Sequence, residues 1–165
     1  MLQPGDSAPD FELSDPDGRA HALSALLAKG PVVVYFYPVD FSPICTAQAC
    51  FCRDHRAELE QAGLQVVGVS GQSPRSHARF RKTFGLDFTL LTDPGRRVAR
   101  AYGAVSCLGL YPRRVSYLID ESGAIIDAVL ADWRAGPHTQ FIQRAIAWAR
   151  QRQREADAVT VGAGS

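Results

Sequence analysis

Residues 32–54 read Val-Val-Val-Tyr-Phe-Tyr-Pro-Val-Asp-Phe-Ser-Pro-Ile-Cys-Thr-Ala-Gln-Ala-Cys-Phe-Cys-Arg-Asp. The run Val32 to Phe36 is β-branched or aromatic with no polar alternation, the pattern of a central strand buried on both faces. Pro38 ends that run. Ser42-Pro43 then has the form of a helix cap followed by a proline in the first helical turn. The stretch therefore reads as a strand that ends in a Pro-containing turn and delivers Cys45 to the start of a helix. Three of the four cysteines, Cys45, Cys50 and Cys52, fall within this one stretch.

Outward from this unit, a helix is expected from about Pro43 to Ala62, with Gly63 as its stop. Ile44, Ala47, Phe51, Leu59 and Ala62 would form its apolar stripe. Leu64 to Ser70 reads as a second strand. Ser73-Pro74 caps and opens another helix that ends near Phe84-Gly85. Phe88 to Leu91 is a short strand, Asp93-Pro94-Gly95 a turn, and Val98 to Tyr102 a short helix. Val115 to Ile119 and Ala124 to Leu130 read as a hairpin through residues 120–123. A last amphipathic helix carries Phe141, Ile142, Ala145, Ile146 and Ala149. Towards the N-terminus, Phe11 to Ser14 is a short strand entering an Asp-Pro-Asp-Gly turn, and Ser24 to Leu27 a helical turn. The order implies an α/β fold, a mixed central sheet flanked by helices, with an N-terminal β extension. The tail from Arg154 has no pattern and ends Gly-Ala-Gly-Ser. A single domain over 1–153 with a disordered tail over 154–165 is the expectation.

The chain has 165 residues, 46% hydrophobic and 21% charged, with a formal net charge of +1. One domain with a proper core fits that length. The balanced charge gives no reason to expect nucleic acid or acidic lipid as a partner. No apolar stretch approaches the roughly 20 residues that span a bilayer. The first residues, Met-Leu-Gln-Pro-Gly-Asp, lack the basic start and apolar segment of a signal peptide, so a cytoplasmic location is the default. In that compartment clustered cysteines are more often catalytic or metal-binding than structural.

A thiol is a poor nucleophile until ionised, and a free cysteine has a pKa of about 8.5. A helix N-terminus offers unpaired N–H groups and a partial positive charge that favour the thiolate. Cys45 is therefore the best-placed thiol, although an isolated cysteine there would read as a small buried hydrophobe. Ser42 puts a hydroxyl at the same helix mouth, and an ordinary N-cap is its plainer role. Residues i and i+5 of a helix are about 7.5 Å apart along the axis and point about 140° apart. A disulfide needs Cα atoms within about 7 Å and converging Cβ vectors. A Cys45–Cys50 bond thus requires the first turns to unwind; otherwise Cys50 is a helix residue packed beneath the turn. A metal centre through Cys45, Cys50, Cys52 and Cys107 fits poorly, because such centres prefer two-residue spacing and turn geometry. His21, His55, His77 and His138 are spread, without zinc-site spacing, and read as surface or packing residues. Cys-x-x-Cys is absent, which weighs against a disulfide oxidoreductase.

The segment Pro38-x-x-x-Ser42-x-x-Cys45 resembles the active-site signature of the peroxiredoxins, Pro-x-x-x-Thr/Ser-x-x-Cys. Its extension, Cys45-Thr46-Ala47-Gln48-Ala49-Cys50, is similar to the Q-type, or bacterioferritin-comigratory-protein, branch. The likeness runs from Pro4-Gly-Asp-x-Ala-Pro-Asp-Phe11 through Val69-Ser70-Gly71, Leu90-Leu-Thr-Asp93 and Arg114-x-x-Tyr117-Leu-Ile-Asp120 to the last helix. The resemblance implies a thioredoxin-like fold and the reduction of hydroperoxides. By matching position Cys45 would be the peroxidatic cysteine and Cys50 the resolving one. Pro38 would shield the sulfur, Ser42 would hydrogen-bond sulfur and peroxide oxygen, and Arg114 would steady the thiolate. Read alone, Arg114 is a strand-edge charge, and Arg113 beside it is a second candidate. A thioredoxin-type dithiol donor would recycle the disulfide, with no metal or organic cofactor, in a monomer or weak dimer. A peroxide sensor or an oxidoreductase passing oxidation to a partner protein is the alternative. Ser42 stands where the family more often has Thr, Ile44 where Gly is common, and Cys52 where a large apolar residue is usual. Cys52 reads as a core substitution or an auxiliary thiol, and Cys107 matches no resolving site of the family.

Overall fold

The computed structural model describes residues 1–109 and 111–162. Strands β1 (Glu12–Ser14) and β2 (Ala20–Ala22) form an N-terminal hairpin, followed by α1 (Leu23–Leu27). Then come β3 (Val32–Phe36), α2 (Pro43–Asp54), α3 (Arg56–Gln61), β4 (Gln65–Ser70) and α4 (Pro74–Phe84). The chain continues with β5 (Thr89–Thr92), α5 (Arg97–Ala101), β6 (Val115–Ile119), β7 (Ile125–Leu130) and α6 (Gly136–Gly162). Among the described residues the strands form one sheet, in the order β2-β1-β5-β4-β3-β6-β7. This is the expected mixed sheet: β3 pairs in parallel with β4 and antiparallel with β6.

Strand alternation sorts the core into two layers. Val33, Tyr35 and Tyr37 face a cluster with Ala49, Leu59, Phe80, Phe141 and Ile142, from the layer of α2, α3, α4 and α6. Val32, Val34 and Phe36 face Leu23, Leu26, Val98 and Tyr102 on the other side. Each such side chain taken out of water contributes roughly 1.5–3 kcal/mol before chain entropy is counted. Gly68 of β4 has no room for a side chain, since a Cβ there would stand 2.8 Å from both Leu90 and Tyr35.

Four details differ from the sequence reading. The strand β2 is an addition; Ala20-His21-Ala22 carries no β signal and is recruited by pairing with β1. The single helix expected over 43–62 is two helices. His55 adopts φ −101° and ψ 15°, its Nδ1 lies 2.9 Å from the Phe51 carbonyl, and its ring stacks on Phe51. That local bonding diverts the backbone and re-aims α3. The buried face of α2 is Cys45, Gln48, Ala49 and Cys52, whereas Ala47 is exposed and Ile44 and Phe51 are half-buried. The stripe is rotated by about one residue, because the thiols of Cys45 and Cys52 and the Gln48 amide join the core. Finally, α6 runs on to Gly162 where disorder was expected from Arg154. Glu155, Ala156 and Ala158 are good helix formers, and extending an existing helix costs little. Residues 163–165 of that expected tail lie outside the described residues.

Candidate active site

The β3–β6 register decides the site. Phe36 at the end of β3 pairs with Val115 at the start of β6. The turn after β3 and the residue before β6 therefore meet at one sheet edge. Pro38 is half-buried at that edge. The Ser42 hydroxyl accepts the Cys45 N–H at 3.3 Å as a helix N-cap, with Pro43 as the first helical residue. Cys45 Sγ, in a residue only 1% exposed, accepts Arg114 Nη2–H at 3.0 Å from 69 positions further along the chain. Arg114 is itself 2% exposed. Its Nη1 donates to Gln48 Oε1 at 3.1 Å, while its Nε is buried without a partner. Cys45, Ser42 and Arg114 thus come together. Arg113 turns away and pairs with Asp132 at 2.8 Å.

The loop that leads into α2 and Cys45 is fastened twice. Asp40 is buried and binds Tyr37 Oη at 2.8 Å, Ser76 Oγ at 2.6 Å and His77 Nδ1 at 3.0 Å. Burial alone would raise the Asp40 carboxyl, but hydrogen bonds from His77 and Ser76 outweigh it and hold the group below the usual carboxylate range. Phe41 takes φ 65°, a costly conformation for an aromatic residue. Its ring packs on Phe80 and Phe84, under the Arg79 guanidinium.

Cys50 is a free, half-buried thiol on the same unbroken helix as Cys45. Cys52 is buried in the core layer, where burial pushes its pKa up to about 12. Cys107 is exposed in the loop before β6. Cys45 and Cys52 lie two turns apart on the buried face of α2, with Cys50 off that face, and among the described residues no cluster of three His, Cys, Asp or Glu side chains could hold a metal ion.

Sequence reasoning missed Gln48, Ser116, Asp132 and His138. Gln48 Nε2 donates to Ser116 Oγ at 3.2 Å; Ser116 Oγ lies 2.9 Å from His138 Nδ1; His138 Nε2 lies 3.1 Å from the Ala131 carbonyl oxygen. Asp132 Oδ1 accepts the Arg114 backbone N–H at 2.9 Å. One signal was available: Gln48 is three residues beyond Cys45, on the same helix face, and Ser116 two beyond Arg114, on the same strand face.

His138 is fully buried. Burial pushes its pKa down to about 4, with the Arg114 charge acting in the same direction. Its folded pKa is below the unfolded value of about 6.5, so the unfolded chain protonates first as pH falls. The stabilisation is complete above pH ~6.5 and is lost towards pH ~4. A loss of about 2 kcal/mol between pH 7 and 4.5 is expected from this residue. Urea unfolding of wild type and His138→Leu at both pH values checks it, since the variant should lack this component of the slope.

A mixed sheet with a capped cysteine at the mouth of its first long helix defines a thioredoxin-like α/β protein with a thiol site. A model described as the AhpC/TSA family matches residues 4–128, and the chain belongs to that family. It is 45% identical over 122 residues to the chloroplastic peroxiredoxin Q of Oryza sativa subsp. japonica, covering 73% of this chain and 56% of that one. To its counterpart in Sedum lineare it is 46% identical, covering 73% and 65%. The chain thus spans between a half and two thirds of the length of these plant relatives. Among solved structures, peroxidoxin BcpB of Mycobacterium tuberculosis superposes with a TM-score of 0.83 at 34% identity, covering 92% of this chain and 98% of that one. The Xanthomonas campestris bacterioferritin comigratory protein, whose structures bear on alkyl peroxide reduction, gives 0.77 at 26% identity, covering 90% and 98%. No helix among the described residues is long and apolar enough to cross a membrane.

Proposed function

We propose that this protein is a thiol peroxidase that reduces hydrogen peroxide and small organic hydroperoxides through Cys45. The observation that carries the reading is the Arg114 guanidinium 3.0 Å from Cys45 Sγ, at a serine-capped helix start. A fixed cation and helix-end N–H groups both complement a thiolate. The thiolate attacks the terminal peroxide oxygen, the O–O bond breaks, and alkoxide or hydroxide leaves, taking up a proton. Cys45 becomes a sulfenic acid. Arg114 Nε, buried and unpaired, is a donor of the kind reserved for an oxygen on which charge develops. Pro38 limits water at the sulfur. Ser42, now donating its hydroxyl proton, orients sulfur and peroxide.

Cys50 then attacks the sulfenic sulfur, releasing water and leaving a Cys45–Cys50 disulfide. A thioredoxin-type dithiol restores both thiols by exchange and is itself oxidised. The peroxiredoxin names of the plant relatives and the alkyl peroxide reduction named for the Xanthomonas campestris protein support this reading. A monomer or weak dimer is the assembly proposed with it. The cytoplasmic location stands as a proposal beside the chloroplast location in the plant relatives' names. In the test, hydrogen peroxide consumption is followed with a thioredoxin system, and peptide mapping of the oxidised protein locates the disulfide. Peroxide-dependent turnover and a Cys45–Cys50 crosslink are expected; no turnover with any dithiol donor would overturn the reading.

Conformational change is a required step, because α2 is continuous from Pro43 to Asp54. Amide hydrogen exchange over residues 45–52 is expected to be slow in the reduced protein and much faster in the disulfide form. Equal protection in both forms would exclude local unwinding.

A further inference from the structure

The bonds running from Arg114 into the protein have a direction that chemistry dictates. Arginine only donates, so the Gln48 amide must turn its oxygen to Arg114 Nη1, at 3.1 Å. That turns the amide nitrogen to Ser116 Oγ, at 3.2 Å, and the hydroxyl must accept. The Ser116 proton is then directed at His138 Nδ1, at 2.9 Å, which must be bare. The ring proton of neutral His138 therefore sits on Nε2 and is donated to the Ala131 carbonyl, at 3.1 Å. Ala131 N–H in turn donates to the Arg114 carbonyl at 3.2 Å. The imidazole thus holds Arg114 from two sides, its side chain through Ser116 and Gln48 and its backbone through Ala131. Gln48, Ser116, Arg114 and His138 are all buried, so water is not at hand to replace a missing partner.

We propose that His138, as the Nε2–H tautomer, is the positioning residue that holds the Arg114 guanidinium at Cys45. It acts through Ser116 and Gln48 and touches neither substrate nor sulfur. The inference rests on the reading of Cys45 as the peroxide-reactive thiol. Its chemical basis is an acceptor-and-donor ring at the end of a relay that would otherwise leave Gln48 and Arg114 free to rotate.

The test is the second-order rate constant for hydrogen peroxide with reduced protein, in a single turnover without recycling donor. His138→Leu and the milder Ser116→Ala are each expected to lower it up to about tenfold, the upper end of the cost of one lost neutral hydrogen bond in the relay. His138→Asn, which keeps an acceptor for Ser116, should lie between His138→Leu and wild type. In an Arg114→Met background the same changes should have no further effect, because there is no guanidinium left to position. Equal losses in both backgrounds, or none in wild type, would overturn the proposal. Nitrogen-15 spectra of the wild-type protein provide a readout separate from activity. A neutral Nε2–H ring is expected for His138, with its Nδ1 resonance shifted by Ser116→Ala; an Nδ1–H tautomer would also overturn it. Failure of the peroxidase reading is distinguishable, since wild type would then form no sulfenic acid at Cys45 whatever the tautomer.

Discussion

Cys45→Ser is expected to abolish peroxide turnover, whereas Cys50→Ser should oxidise once and then stall. Serine keeps the shape at the helix start but offers no ionisable sulfur, so neither the attack nor the sulfenic acid can form. In Cys50→Ser the first step is intact. The sulfenic acid persists and can be trapped by dimedone, and steady-state rates should fall by at least about tenfold unless an external thiol resolves it. Cys52→Ala separates the two neighbours. A thiol pushed up to about 12 by burial contributes almost no thiolate near neutrality, so this variant should keep nearly full turnover. Full activity in Cys45→Ser would remove the nucleophile assignment. Normal cycling in Cys50→Ser would pass resolution to Cys52, Cys107 or a partner.

Arg114→Met is expected to slow the reaction of Cys45 with peroxide by about 10²–10³-fold, the usual cost of losing a preorganised donor at developing charge. Methionine fills much of the same space, so the packing around Gln48 suffers less than the electrostatics. Arg114→Lys should recover only part of the rate. An ammonium is a point charge and cannot hold both Gln48 and Cys45 in the fixed fork that Arg114 uses. Stopped-flow oxidation of the reduced variants measures this. A rate for Arg114→Met within twofold of wild type would show that the guanidinium does not act at the sulfur.

The parts of this fold that were legible in the sequence are those whose signal is local. Val32 to Phe36 is apolar on both faces, and it is the strand between β4 and β6. Ser42-Pro43 and Ser73-Pro74 are a cap and a first-turn proline in each case, and each opens a helix. Gly85 closes α4 with φ 60°, the left-handed stop expected of it. Cys45 was legible locally as the thiol at a helix start, whereas Arg114 was legible only through a family pattern, since nothing in its local sequence says that β6 will lie against β3. The relay behind Arg114 stayed hidden for the same reason. Ser116 and His138 are single polar residues in apolar surroundings, and their bonds span 68 and 22 positions. The break at His55 depends on a side chain competing for a backbone carbonyl, which helix propensity does not register.

The buried face of α2 also ties the core to the redox midpoint of the thiol pair. In the proposed cycle, forming the disulfide withdraws Cys45 and Ala49 from their packed positions and breaks the Arg114 contact. Free energy that favours the folded helix therefore favours the dithiol. It raises the reduction potential by about 30 mV for each 1.4 kcal/mol. A substitution that loosens α2, such as Ala49→Gly, would make the disulfide easier to form and harder to reduce, without touching either sulfur. Packing density beneath the helix is thus a setting of the electron-transfer equilibrium with the dithiol donor.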